Sequence, residues 1–224
     1  MKKYIVLDTE TTGLNYEEGH KIIEIGAVLL EDRNKSDNYF HTYLNPQRII
    51  EEEAIKVHGI TNEELEDKPL FDEVVSEFLE FVEGSTLVIH NAPFDLGFLN
   101  HELRLVKKNE INKDQVVDSL EIARGKFPGT SNSLDALCKR FNIDLSRRTK
   151  HNALLDCELL REVYINLLDA KEPKFVFSNE TTDLDFKNRV NLTKKYCKKV
   201  IKPTVEELKL HSEFLKRDLK KNYF

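Results

Sequence analysis

Residues 4–30, YIVLDTETTGLNYEEGHKIIEIGAVLL, contain two runs rich in Ile and Val on either side of a polar stretch. We interpret Tyr4–Leu7 and Lys21–Leu30 as β-strands. Tyr39–Leu44 continues the series until Asn45-Pro46 breaks it. Three strands in succession favour an antiparallel meander.

Helical patterns alternate with short strands up to about residue 168. Residues 71–83 carry apolar side chains at 74, 75, 78, 79 and 82, the spacing of one buried helical face. Thr61 and Glu64 fit a capping box that begins a short helix. Thr86–Ile89 predicts a buried strand, and further helices are predicted over 94–105, 132–141 and 152–168. This alternation indicates an α/β domain.

The net charge of the 224-residue chain is −6, and it is unevenly distributed. Residues 171–224 hold 14 basic and 8 acidic residues, a net +6, whereas residues 1–170 hold 20 and 32, a net −12. An acidic first part repels a phosphate backbone unless bound cations or a partner compensate. We therefore expect residues 1–170 alone to bind nucleic acid weakly.

The expected location is the cytoplasm, without a membrane span. No stretch approaches the roughly 20 continuous apolar residues that cross a bilayer. Asp8 and Glu10 interrupt the apolar N-terminal run before it becomes a signal-peptide core. The three cysteines are widely spaced, which suggests reduced thiols rather than a disulfide framework.

Asp8 and Glu10 stand two residues apart on the first strand, so their side chains leave the same face of the sheet. Two carboxylates that close repel each other unless a cation lies between them. Hard oxygen ligands of this kind suit Mg²⁺ or Mn²⁺ rather than zinc. For the pair alone, a strand end with exposed acids is the simpler interpretation.

Two later blocks contain further candidate residues. Asp95, in HNAPFDLGFLN (90–100), falls in the first turn of a helix, where an acid is also an ordinary partner for the helix dipole. In HNALLDCELL (151–160), His151 and Asp156 would lie about 140° apart on one helix. They reach a common point if His151 belongs to the preceding loop and Asp156 to the second helical turn.

In this order and at comparable spacing, the three blocks resemble the Exo I, Exo II and Exo III motifs of the DnaQ-like, or DEDDh, exonuclease superfamily. The resemblance continues through GHKIIEIGAV, VHGIT and FPGTSNSLDALCKRF, and it covers roughly residues 4–168. It implies a ribonuclease-H-like fold, a mixed β-sheet flanked by helices, with a C-terminal linker and helical tail. The implied activity is 3′→5′ hydrolysis of terminal nucleotides to 5′-mononucleotides.

The resemblance also assigns roles within the motifs. Asp8, Glu10 and Asp156 would bind two divalent cations, Mg²⁺ or Mn²⁺, and Asp95 would complete the acidic set directly or through water. His151 would be the general base that takes a proton from the attacking water, a task that suits imidazole near neutral pH.

Glu53 and His58 fall where the family holds the terminal nucleotide through its sugar and 3′ hydroxyl. Phe94 lies where an apolar wall can meet a base. The implied substrate-binding residues are therefore Asp8, Glu10, Glu53, His58 and Asp156. For Glu53, a solvated acid in an acidic run is a considerable alternative, so His58 is the safer assignment of the two.

The character of the sequence changes near residue 171. We expect an exonuclease domain over 1–170, a linker over 171–190 and a helical tail over 191–224. Glu172–Phe177 (EPKFVF) resembles the sliding-clamp-binding peptides of this family, but Glu172 stands where glutamine is usual. Ordinary linker residues explain this segment equally well.

The tail predicts an amphipathic helix. Thr204 and Glu207 fit a second capping box. Four apolar residues share one face of the helix: Val205, Leu208, Leu215 and Leu219. The tail resembles the segment by which proofreading exonucleases dock on the polymerase subunit, although a helix packed on the nuclease domain is the alternative.

Three functions remain open at this point. The first is a proofreading exonuclease of a bacterial replicative DNA polymerase, acting on single-stranded or frayed DNA 3′ ends. The second is an exoribonuclease of the same superfamily, since nothing in the motifs distinguishes DNA from RNA. The third is an inactive polymerase-binding scaffold, against which the complete set of four acids and one histidine argues. The tail favours the first.

Overall fold

The computed structural model describes residues 3–31, 34–146, 148, 150–168 and 203–218. Five strands form one sheet in the order β3-β2-β1-β4-β5. They are β1 (Tyr4–Thr11), β2 (Ile22–Glu31), β3 (Asn34–Tyr43), β4 (Thr86–Ile89) and β5 (Val116–Asp118). The first three pair antiparallel, which confirms the predicted meander, whereas β4 and β5 run parallel to β1.

Helices flank this mixed sheet, as the predicted α/β, ribonuclease-H-like class requires. They are α1 (Glu52–His58), α2 (Asn62–Leu65), α3 (Phe71–Val82), α4 (Ala92–Leu105), α5 (Ser119–Lys126), α6 (Leu134–Arg140) and α7 (Ala153–Leu167), with short 3₁₀ helices at Tyr16–Glu18 and Lys113–Gln115. A further helix, α8 (Val205–Asp218), follows later in the chain. The predicted helices 71–83, 94–105, 132–141 and 152–168 are confirmed to within two residues at each end. The sequence prediction lacked α1, β5 and α5.

Two hydrophobic clusters cover the two faces of the sheet. Ile5 and Leu7 belong to one cluster, and Val6, between them on β1, belongs to the other, which contains most of the buried face of α7. Side chains alternate along a strand, so Asp8 and Glu10 continue the row of Val6. Both carboxylates therefore lie on the α7 side of the sheet.

Helix α7 begins directly against the backbone of β2. Gly26 lies opposite Asp8 in the β1–β2 register. A Cβ atom at Gly26 would lie 2.5 Å from the carbonyl carbon of Ala153, in the first turn of α7. Cys157 Sγ donates a hydrogen bond to the Gly26 carbonyl at 3.1 Å. The missing side chain thus lets the start of α7 contact the sheet beside Asp8.

The chain divides into two compact units, Met1–Lys174 and Phe175–Phe224. The sheet lies in the first unit. The predicted linker 171–190 and its segment Glu172–Phe177 lie outside the described residues. Among the helices that the structure describes, none has the length and apolar character needed to cross a membrane.

Within the second unit, the structure describes α8. Its predicted capping box is present, because Thr204 N donates to Glu207 Oε2 at 2.7 Å and Glu207 N donates to Thr204 Oγ1 at 3.3 Å. Val205 and Leu208 are exposed. Leu219 lies outside the described residues, so the predicted apolar face is represented in part.

We expect Gly26→Ala to destabilise the fold by about 1–3 kcal/mol or more, because overpacking against a fixed backbone forces a shift of α7. Thermal or urea unfolding measures the change. Gly125→Ala is the matched control, since no atom lies within 4 Å of a Cβ there and the residue is in α5. The control should leave stability unchanged or raise it by up to about 1 kcal/mol. Equal stability of the two variants would contradict the close approach of α7.

Candidate active site

One cavity of about 700 Å³ is lined by six of the seven predicted site residues. These are Asp8, Glu10, Glu53, His58, Asp95 and His151. The seventh, Asp156, lines an adjoining cavity of about 900 Å³ that shares Asp8 and His151 with the first. The fold therefore brings together residues that are up to 148 positions apart in the sequence (Asp8 to Asp156).

Asp95 enters the site where β1 and β4 part. The two strands are paired from Tyr4 to Val6 of β1, so the next stretch of β1 has unpaired backbone on that side. There the Asp95 carboxylate accepts hydrogen bonds from Thr9 N at 3.0 Å and Thr9 Oγ1 at 2.7 Å. Asp95 lies in the first turn of α4, as predicted, and is buried. Its position is fixed by the sheet as well as by its helix.

His151 lies in the loop before α7, as the angular argument required. Asp156 follows in the first turn of α7 rather than in the predicted second turn, because Asn152 caps the helix by accepting from Leu155 N at 3.0 Å. His151 Nδ1 is 3.3 Å from Asp156 Oδ2. Ligand atoms of Glu10, His151 and Asp156 lie within 4.8 Å of one another.

Glu24 is a buried acid beside the site that the sequence prediction missed. It lies opposite Glu10 in the β1–β2 register and is fully buried. Its carboxylate accepts from Asn152 Nδ2 at 2.7 Å, from Ala153 N at 3.2 Å and from His41 Nε2 at 2.8 Å. Glu24 therefore holds the N-terminus of α7 on the sheet. In the sequence, Glu24 could have been recognised as a single acid within an Ile-rich strand.

Arg148 is the second residue that was missed. Its Nε donates to Asp156 Oδ1 at 2.5 Å and its Nη2 donates to Asp156 Oδ2 at 2.7 Å. The guanidinium therefore forms a bidentate ion pair with both carboxylate oxygens. It lies in a short polar loop, where periodicity gives no signal of a partner.

The carboxylates of Asp8, Glu10 and Asp95 have raised pKa values. Burial, with repulsion from Asp95 and Glu10, raises the pKa of Asp8 well above its usual value. Burial and the neighbouring Glu24 raise the pKa of Glu10 to about 8. Burial raises the pKa of Asp95 to about 7, although the hydrogen bonds from Thr9 oppose the rise. At neutral pH, full ionisation of this cluster requires an added positive charge.

Asp156 differs from the other acids. Burial alone would raise its pKa, but hydrogen bonds from His151 and Arg148 more than offset that effect and keep the pKa below its usual value. Within the described part of the chain, no protein donor is hydrogen-bonded to the carboxylates of Asp8 and Glu10. Their free oxygens are the donor set that a divalent cation prefers.

The 700 Å³ cavity also has features that fit an organic ligand. His58 is buried at the end of α1, and its Nδ1 accepts from Ile60 N at 3.0 Å. Burial lowers the pKa of His58, so the ring is neutral and its proton is on Nε2. Phe94 and the exposed Leu14 and Val57 supply apolar walls. The site thus combines acids, a polar ring and surfaces for stacking.

Known proteins share this arrangement of sequence and fold. The chain matches the model of the exonuclease family RNase_T over residues 5–164. It is 46% identical over 224 residues to DNA polymerase III subunit epsilon of Rickettsia conorii, covering 98% of this chain and 97% of that protein. It is 54% identical over 170 residues to the subunit of the same name in Salmonella typhimurium, covering 73% of this chain and 70% of that protein. It also resembles a solved Exonuclease X in complex with 5′ overhanging duplex DNA, with a TM-score of 0.58 and 27% identity over 75% of this chain and 92% of that one.

In the presence of a chelator, we expect the free energy of unfolding to fall as pH rises from about 5 to about 8. The pKa of Glu10 rises from 4.5 to about 8 on folding, so in this window the folded chain binds the proton that the unfolded chain has lost. The contribution of Glu10 to the free energy of unfolding is therefore greatest at the acidic end of this window. Urea unfolding at several pH values measures the slope, and Glu10→Gln should reduce it. The same slope in both proteins would count against the burial of an ionisable Glu10.

Proposed function

Since the chain belongs to the RNase_T exonuclease family, we propose that it is the proofreading 3′→5′ exonuclease subunit, epsilon, of bacterial DNA polymerase III. The observation that carries the proposal is the identity of 46% over 98% of the chain to a protein of that name. The convergence of the predicted residues on one pair of adjoining cavities supports it. Its reaction is hydrolysis of the terminal phosphodiester of a DNA 3′ end, with release of a 5′-mononucleotide.

The family depends on divalent metal, and the residues of this chain fit such ions. We assign Asp8, Glu10 and Asp156 as ligands of two cations, Mg²⁺ or Mn²⁺, with Asp95 as a ligand directly or through water. The fit rests on the unpaired oxygens of Asp8 and Glu10 and on a cluster whose charges repel. When bound, such ions stabilise the attacking and leaving oxygens of an in-line displacement.

The protein side chains supply the remaining parts of the reaction. We assign His151 as the base that takes a proton from the attacking water, because its ring is exposed beside Asp156 at the junction of the two cavities. Glu53 and His58 line the 700 Å³ cavity and are assigned to the sugar and 3′ hydroxyl of the terminal nucleotide. Phe94 offers a face on which any base stacks.

Replacement of Asp8 by Asn together with Glu10 by Gln should reduce Mg²⁺-dependent degradation of a single-stranded DNA oligonucleotide by at least about 100-fold, since ligand charge is lost without loss of shape. Gel analysis of 3′-end shortening measures the rate. The matched controls Asp67→Asn and Glu77→Gln change exposed acids outside the two cavities and should leave the rate unchanged.

Two outcomes of this assay would contradict the proposal. Undiminished degradation by the double variant would remove the active-site assignment. A strong preference of the unaltered protein for a matched RNA oligonucleotide would replace proofreading with the exoribonuclease function and leave the nuclease site intact.

We also propose that residues 191–224 dock on the alpha subunit of the polymerase, while residues 1–170 form the nuclease domain. Helix α8 supports this docking, because Val205, Leu208 and Phe214 are exposed apolar residues on it. A contact of Glu172–Phe177 with the sliding clamp stays a prediction.

Deletion of residues 171–224 should abolish co-purification with the alpha subunit and leave degradation of short oligonucleotides intact. Leu208→Glu in the full chain should weaken co-purification by at least about tenfold, because it buries a charge in an apolar contact. Lys209→Glu, one residue further along α8, is its control and should have a smaller effect. Undiminished co-purification of the deleted chain would place the docking surface elsewhere.

A further inference from the structure

Arg148 links several groups of the proposed active site. Its side chain is 8% exposed and lies between α6 and α7. Besides its two hydrogen bonds to Asp156, its Nη2 lies 2.9 Å from Nδ1 of His151. Its Nη1 forms an ion pair with Asp135, a half-exposed residue of α6. One planar group thus contacts a proposed metal ligand, the proposed base and an outer carboxylate.

The guanidinium competes with any cation for the charge of Asp156. Its fork engages both oxygens of that carboxylate, which are also the oxygens that the ligand assignment requires. A fixed positive charge at this distance repels a second positive charge and weakens its binding.

The same contacts restrain the two groups that must cooperate in the reaction. Arg148 meets Asp156 on α7 and His151 in the preceding loop, and Asp135 fixes the guanidinium from the side of α6. Asp156 and Asp135 anchor the guanidinium, and its contact with His151 keeps the imidazole and the carboxylate in one relative geometry. Such pre-organisation raises turnover.

We propose that Arg148 is a positioning residue and the built-in counter-ion of Asp156: it orients Asp156 and His151 for the reaction and at the same time weakens divalent-cation binding. The inference rests on the proposed function, since it assumes that Asp156 is a metal ligand. On this proposal, the loss of Arg148 changes metal affinity and turnover in opposite directions. Removal of Arg148 should strengthen metal binding and slow turnover, whereas a purely structural role predicts that both decline.

The test is to measure Mn²⁺ binding to the full chain without nucleic acid. Calorimetry, or paramagnetic resonance of free Mn²⁺, gives the dissociation constant. Arg148→Gln should bind Mn²⁺ roughly tenfold more tightly, because a neighbouring positive charge is lost. Its kcat on a DNA oligonucleotide at saturating Mn²⁺ should fall by about tenfold or more. Arg104→Gln, which removes an exposed arginine paired with Glu110, is the control and should change neither property.

Two further variants keep the test decisive if Arg148→Gln folds poorly. Arg148→Lys keeps the charge but loses the planar fork, so it should retain Mn²⁺ affinity within about twofold and still lose turnover. Asp135→Asn leaves Arg148 with fewer anionic partners, so it should weaken Mn²⁺ binding by roughly threefold.

The outcomes separate this inference from the proposed function. Unchanged or weaker Mn²⁺ binding by Arg148→Gln, with normal binding and turnover in the unaltered protein, would overturn the counter-ion role and leave the exonuclease assignment standing. Unchanged turnover in both Arg148 variants would overturn the positioning role. Failure of the unaltered protein to bind Mn²⁺ at all would overturn both the inference and the metal assignment.

Discussion

Mutual repulsion among buried carboxylates is the constraint around which this structure is arranged. Glu24, Asp95 and Asp156 are each held by hydrogen bonds from neighbouring protein groups, which offset the cost of their burial. Asp8 and Glu10 have no such donor among the described residues. Protein donors therefore offset the charges of three carboxylates, whereas the charges of Asp8 and Glu10 depend on bound cations.

Two local features of the sheet make this crowding possible. The absence of a side chain at Gly26 lets the first turn of α7 contact the backbone of β2. Asp8, opposite Gly26, and Asp156, in the first turn of α7, line one cavity. On the other side, the parting of β1 and β4 opens a gap that the carboxylate of Asp95 fills. Both features depend on backbone geometry. The gap filled by Asp95 lies where the parallel pair of β1 and β4 ends, which is a common position for ligand sites in α/β folds.

Much of the site was predictable because its residues lie in contiguous motifs. The alternation along β1 placed Asp8 and Glu10 on one face, and the angular argument placed His151 in a loop. The elements that were missed carry weak local patterns: β5 has three residues, and the polar start of β3 at Asn34 precedes the predicted strand by five residues. Glu24 and Arg148 could not be assigned a role because their partners come from distant segments, which one-dimensional periodicity does not reveal.

On the proposed function, the charge of the nuclease domain has a mechanistic consequence. Residues 1–170 carry a net −12, so their affinity for a DNA backbone is low without cations. The counter-ion role inferred for Arg148 lowers the affinity for those cations further. Attachment through the basic tail would then raise the local concentration of DNA ends at the nuclease site without raising its intrinsic affinity. A nuclease that binds DNA weakly by itself, but at high local concentration when it is attached to a polymerase, acts on the 3′ ends that the polymerase releases. That behaviour suits the correction of errors rather than general degradation of DNA.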